Sequence, residues 1–137
     1  ELVKVLSTRG PSIVGDKISK KLFVERYRSV KQTHAIGDEL LVQKTISGVG
    51  NYMRADALYM AGISPHRTIK SLSDNDLNLI LKALKKVVRE SMSALRKKGL
   101  HSYIFKVYKC IVTKNGEKVI RYDNNGRGMY WVPSVQK

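Results

Sequence analysis

The chain has 137 residues, 42% of them apolar, and 26 Lys and Arg against 11 Asp and Glu, for a net charge of +15 at pH 7. It is too apolar to be a disordered polyelectrolyte and long enough for one or two small domains with a real core. No apolar run nears the roughly 18 residues that span a bilayer, and the basic residues recur along the whole chain instead of along one amphipathic membrane-surface helix, so the expected partner is nucleic acid.

Residues Glu1 to Gly15 read as an extended lead-in, broken by Gly10-Pro11. Asp16 is expected to cap a first helix with Ile18, Leu22, Phe23, Tyr27 and Val30 at helical spacing. A second, short helix is expected to start near Asp38, turn Leu40, Leu41 and Ile46 inward, and stop at Gly48. A third begins at Gly50 or Asn51, carries Met53, Ala57, Leu58 and Ala61, and ends at Gly62, with Pro65 barring continuation.

Ser73-x-x-Asp76 has the form of a capping box. It opens the longest helix, whose stripe is Leu77, Ile80, Leu81, Leu84, Val87, Val88, Met92 and Leu95, with Lys82, Lys85, Lys86 and Arg89 opposite. After Gly99 the apolar period changes to two. Tyr103–Thr113 and Glu117–Asp123 read as strands flanking Asn115-Gly116, and Asn124-Asn125-Gly126 as a second turn before a short strand near Met129 to Val132. Cys110 is the single cysteine, which excludes an intramolecular disulfide and fits a reducing, intracellular setting. With His34, His66 and His101 scattered, neither a metal site nor a cofactor is expected.

The stretch Ser47-Gly48-Val49-Gly50-Asn51 sets a glycine turn directly before a helix. Glycines allow close backbone approach, and the free N–H groups and dipole of the following helix favour a phosphate oxygen there. Asn51 adds an amide donor and Lys44 adds charge. A nucleotide P-loop would need Lys and Ser or Thr after the glycines, which are absent. The same spacing also suits two helices that merely cross closely, with Asn51 as a cap.

The run "LLVQKTISGVGNYMRADALYMAGISP" (Leu40 to Pro65) resembles the helix–two-turn–helix motif of the Fpg/Nei family of DNA glycosylases, and Asn51-Tyr52-Met53-Arg54 is nearer its Nei-like branch. Val42 stands where the family usually has Asp. "IFKVYKC" and "GRGMYWVPSVQK" resemble the two ends of the family's zinc finger, with Val132 and Ser134 at two cysteine positions and the earlier pair missing, as in a zincless finger. The resemblance implies an α+β chain: a helical bundle with the helix–two-turn–helix motif, then a small antiparallel β-hairpin. The parts would be 1–15, a linker from a β-sandwich domain; 16–100, the helical DNA-binding domain; and 101–137, the finger.

The resemblance further implies that Asn51, with the backbone around Gly50, grips a phosphate of damaged double-stranded DNA, and Gly48 and Lys44 are expected beside it as DNA-binding residues. Arg127, the finger arginine, would reach the phosphates around the extruded base and take part in elimination; its plain alternative is a basic loop residue. Tyr130 and Trp131 are expected to pack under the hairpin. The family's nucleophile, an N-terminal proline amine with a neighbouring glutamate, has no counterpart in Glu1-Leu2-Val3. The function implied is the DNA-binding half of a monomeric glycosylase/AP lyase for oxidised bases, pyrimidines above all, in a nucleus or other DNA-containing compartment. The alternatives are a ribosomal protein using the same motif on rRNA and a non-catalytic DNA-binding module.

Overall fold

The computed structural model describes residues 9–98, 103–124 and 126–137. The expected lead-in over 1–8 and the boundary near 100 lie outside these residues. Among the described residues, four helices and one hairpin follow in chain order: α1 (Lys20–Arg28), α2 (Ile36–Glu39), α3 (Asn51–Ala61), a 3-10 turn (Ile69–Ser71), α4 (Asp74–Lys98), β1 (Ile120–Asn124) and β2 (Arg127–Trp131). This is the expected α+β plan. Among the described residues no helix is long and apolar enough to cross a membrane.

α1 starts later than its apolar spacing suggests. The cap is Ser19, whose hydroxyl accepts from the Leu22 N–H at 3.1 Å. Asp16 instead accepts from the Ser12 N–H at 2.8 Å, closing a turn over 12–16. Ile18 is buried just ahead of the helix, with Phe23 and Tyr27 buried within it. Two arginines of its last turn are used structurally: Arg26 donates to the Thr45 and Lys44 carbonyls, and Arg28 to Ile69, Leu72 and Asp74. Part of the positive charge therefore serves the fold.

The second helix spans only Ile36–Glu39, earlier and shorter than expected, because tight turns take over. Val42 N–H donates to Glu39 and Thr45 N–H to Val42, three residues back in each case. α3 matches its expected limits, with Gly50 at the N-cap and Gly62 at φ 71° closing the C-terminus.

The capping box before α4 forms in both directions: Ser73 N–H to Asp76 Oδ2 at 2.9 Å and Asp76 N–H to Ser73 Oγ at 3.0 Å. α4 packs on α1 and α3. Its stripe is buried through Val87, but Met92 and Leu95 are each 42% exposed, against expectation. The reason is length: 25 residues reach about 37 Å, while α1 and α3, of 9 and 11 residues, can cover less than half of that.

The greatest departure lies between Tyr103 and Thr113. The period-two pattern predicts a strand, yet this segment makes only an isolated bridge, Val112 to Lys118, and the hairpin forms one turn later. Asp56, fully buried on α3, is the cause. Its carboxylate accepts from the backbone N–H groups of Lys106, Val107 and Tyr108 at 3.0, 3.0 and 3.1 Å, and from the Tyr103 hydroxyl at 2.9 Å. Three successive N–H groups turned to one carboxylate cannot alternate as a strand ladder requires.

β1 and β2 pair antiparallel from Ile120 opposite Trp131 to Asn124 opposite Arg127, and Gly126 at φ 82° makes the turn. Met129 faces the core; Tyr130 meets the Tyr108 ring edge-on, and Trp131 meets His66. Both rings are half-buried packing groups, as expected.

Candidate nucleic-acid interface

Gly48 sits at φ 88°, a left-handed conformation that glycine adopts freely. Its N–H donates to Gln43 Oε1 at 2.8 Å, and Gln43 Nε2 reaches back to the Leu41 carbonyl at 3.1 Å. Val49 between the glycines is buried and pins the turn to the core. Gly50 differs from Gly48: its φ of −93° suits any residue, and an added Cβ would meet nothing within 4 Å. Gly50 is thus not required by the fold, and its bare backbone leaves the α3 N-terminus open to a visitor. The first intrahelical bond runs from Arg54 N–H to the Gly50 carbonyl. The N–H groups of Asn51, Tyr52 and Met53 precede that ladder, and Gly50 offers no side chain to cap them.

Arg127, first residue of β2, faces this turn. It shares with Leu41, Gln43, Gly48, Val49 and Gly50 one open cleft of about 400 Å³. The two motifs, 77 residues apart in sequence, thus line one cleft from opposite sides. Lys44 is exposed near it but does not line it.

Asn51 stands at the seam. Its Nδ2 donates to the Gly128 carbonyl at 2.9 Å and its Oδ1 accepts from Arg54 Nε at 2.9 Å. One amide hydrogen therefore binds the finger to α3, and the side chain has a structural task in addition to any ligand. Arg54, which the sequence reading passed over, is fully buried. Its Nη1 donates at 2.8 Å both to the Gly37 carbonyl and to Asn124 Oδ1, while Nη2 is buried without a hydrogen-bond partner among the described residues. Burial lowers its pKa from the ordinary arginine value; Tyr122 and Asp38 oppose that shift and the nearby Arg127 charge reinforces it. Arg54 does not line the cleft, where Arg127 is the positive group among the described lining residues. A detectable signal existed: Arg54 lies on the same helical face as Ala57, Leu58 and Ala61, where an apolar residue is expected.

Among its described residues the finger shows no zinc-ligand set. Val132 is fully buried and apolar. The Cys-Pro-x-Cys-Gln spacing, read against Val132-Pro133-Ser134-Val135-Gln136, puts the second cysteine position at Val135 and not Ser134. Val135 packs on the core while Ser134 is exposed. Hydrogen bonds hold the finger's shape: Gln136 accepts from Val132 N–H at 2.7 Å and donates to the Ile63 carbonyl at 2.9 Å. Glu117 accepts from Tyr59 at 2.6 Å and Thr113 at 2.7 Å, and these bonds keep its carboxyl below the ordinary range. Among the described residues no group of three or more His, Cys, Asp or Glu could hold a metal ion.

A turn ending in an uncapped helix, faced by a hairpin arginine on a strongly basic chain, defines a helix–two-turn–helix module with an attached finger. The sequence matches the family described as "Formamidopyrimidine-DNA glycosylase H2TH domain" over residues 10–103, and the chain belongs to that family. The formamidopyrimidine-DNA glycosylase of Prochlorococcus marinus (strain NATL1A) is 28% identical over 100% of this chain and 53% of its own length. That of Listeria monocytogenes serovar 1/2a is 32% identical over 78% of this chain and 44% of its own.

The chain thus spans about half the length of the curated relatives it matches. Among solved structures, the Lactococcus lactis enzyme bound non-covalently to DNA containing an AP site superposes with a TM-score of 0.83 at 23% identity, covering 99% of this chain and 52% of that one. The same enzyme with DNA containing an oxidised pyrimidine gives 0.81. The ribosomal alternative, which expects a basic extended tail after the helices, is set aside by the hairpin and the family match.

Proposed function

We propose that this chain is the DNA-binding half of a base-excision DNA glycosylase/AP lyase that removes oxidised bases and incises abasic sites. The observation that carries the proposal is the convergence of the glycine turn and Arg127 on one cleft. The N–H groups at the start of α3, with Asn51 and Gly50, take one phosphate oxygen; Arg127 takes another from the finger side. Gly48 shapes the turn and Lys44 adds attraction at longer range. In the intact enzyme Arg127 would also stabilise charge during elimination. Asn51-Tyr52-Met53-Arg54 supports a Nei-like preference for oxidised pyrimidines, while the relatives named above are formamidopyrimidine-DNA glycosylases. The division of labour has residues up to 15 as the connection to a catalytic domain, 16–100 as the grip, and 101–137 as the finger. The protein works as a monomer in an intracellular compartment that holds DNA.

The family reaction needs an N-terminal proline amine to attack the sugar C1′, and these 137 residues supply none. Tested as such, the chain binds duplex DNA carrying an abasic site more tightly than intact duplex, and borohydride traps no covalent complex. Log K falls steeply against log salt, with a slope of about −0.9 for each phosphate neutralised. Salt-insensitive binding, or equal affinity for intact and abasic duplex, refutes the proposal.

A further inference from the structure

We infer that Arg54 is a positioning residue that fixes the finger tip at a set distance from the glycine turn, so that Arg127 and the start of α3 act on DNA as one clamp. The inference rests on the DNA-gripping role proposed above. Three segments meet at this one guanidinium: α2 through the Gly37 carbonyl, the α3 N-terminus through Asn51, and the hairpin end through Asn124. Asn124 is the residue paired with Arg127 across the hairpin.

The Nε bond to Asn51 Oδ1 also decides which way that amide faces, leaving Nδ2 to point at Gly128, the residue after Arg127. Asn124 extends the chain by donating to Asp38 Oδ1 at 2.7 Å. Arg54 thus orients, directly or through one amide, the cross-strand partner of the finger arginine, Asn124, and the residue that follows it, Gly128.

Packing alone does not explain this residue. A buried guanidinium with an unpartnered Nη2 is costly, and an apolar side chain of similar volume would fill the space without desolvating a charge. What only arginine adds is a rigid fork of directional donors that can hold three segments in one geometry. No carboxylate is within hydrogen-bonding distance of it among the described residues; its partners are two amide oxygens and a carbonyl. The bonds therefore act as fixed-direction spacers.

The test uses the full chain and a duplex carrying one tetrahydrofuran abasic analogue. Without DNA, amide hydrogen exchange compares the wild type with Arg54→Met and with Asn124→Ala, which removes the hairpin-side partner together with its bond to Asp38. Faster exchange at Gly128–Trp131, with α1 and α4 protection unchanged, is expected in both. With DNA, Arg127→Ala is expected to weaken binding by about tenfold or more in the wild type and by less than about twofold in either variant background, because coupled residues are non-additive.

Unchanged exchange at the hairpin, or a full Arg127→Ala effect in the Asn124→Ala background, overturns the inference. If Arg54→Met does not fold, Asn124→Ala decides alone. Should Arg127→Ala leave abasic-site binding intact in the wild type, the clamp reading of the cleft fails, and hydrogen exchange still decides whether Arg54 positions the finger.

Discussion

Replacing Gly50 by Ser separates stability from binding at the glycine turn. The backbone there, φ −93° and ψ 177°, is that of an ordinary N-cap, and an added Cβ has open space. A serine hydroxyl can accept from the Tyr52 or Met53 N–H, and Ser is better than Gly at this position by a few tenths of a kcal/mol. Gly50→Ser is therefore expected to melt at the wild-type temperature or slightly above. Its hydroxyl, however, takes up the donor that a phosphate oxygen would use. A hydrogen bond to a charged group is worth about 1.5–3 kcal/mol, so the dissociation constant for abasic-site duplex should rise about ten- to a hundredfold.

Gly48→Ala is the counterpart. At φ 88° it forces a side chain into the left-handed region, costing about 1–2 kcal/mol of stability, and it should melt early. Fluorescence anisotropy with labelled duplex at one salt concentration, paired with thermal melts, reads both variants. If Gly50→Ser binds as the wild type does, no phosphate sits on the α3 N-terminus and the glycine turn serves helix packing alone.

Asp56→Ala should loosen the finger from the helices, because three backbone N–H groups lose their shared acceptor; a loss of about 3 kcal/mol or more in urea titration is expected. Acid should release the Tyr59–Glu117–Thr113 contact. Glu117 is held below its ordinary 4.5 by bonds from Tyr59 and Thr113, so its contribution is complete above about that pH and fades as pH falls through the lower folded value; an NMR titration of the Thr113 and Glu117 amides follows it, and amides unmoved below pH 4.5 refute it. A zinc chelator should leave the melting temperature unchanged, since Val132 and Val135 fill the space where thiolates would be needed; a fall would show a metal site that these residues do not explain.

The sequence was most legible where the signal is local. The Ser73–Asp76 box, the Gly62 cap and the turn at Gly126 each depend on residues within four positions of one another, so spacing sufficed. It was least legible where a distant group intervenes. Nothing near Tyr103–Thr113 announces that Asp56, 50 residues earlier than Lys106, will take its N–H groups. The start of α1 was misplaced because Asp16 and Ser19 are both good caps, and only the turn closed on Ser12 decides between them. Within the site, Gly48, Gly50, Asn51 and Arg127 were found as separate motifs; their common cleft depends on tertiary packing. Asn51's bond to the finger was hidden for the same reason, whereas Arg54 does leave a signal, an arginine on the face of Ala57, Leu58 and Ala61, which a strongly basic chain makes easy to pass over.

The lead-in strand is fastened to the loop that ends in the glycine turn. Gly10 N–H donates to Gln43, Ser47 N–H to Pro11 and Ile13 N–H to Ser47, and the Ser47 hydroxyl reaches Gly10. Gly10 lies so close that a Cβ there would meet the Thr45 carbonyl oxygen at 2.3 Å. The bridge between Ser12 and Ser47 is parallel, so tension along the chain from the N-terminal side loads these bonds in shear and they resist together. A pull of that kind is delivered to residues 43–47 before it reaches any helix. The loop that ends in the glycine turn is thereby the first part of the described structure on which tension along residues 9–13 would bear.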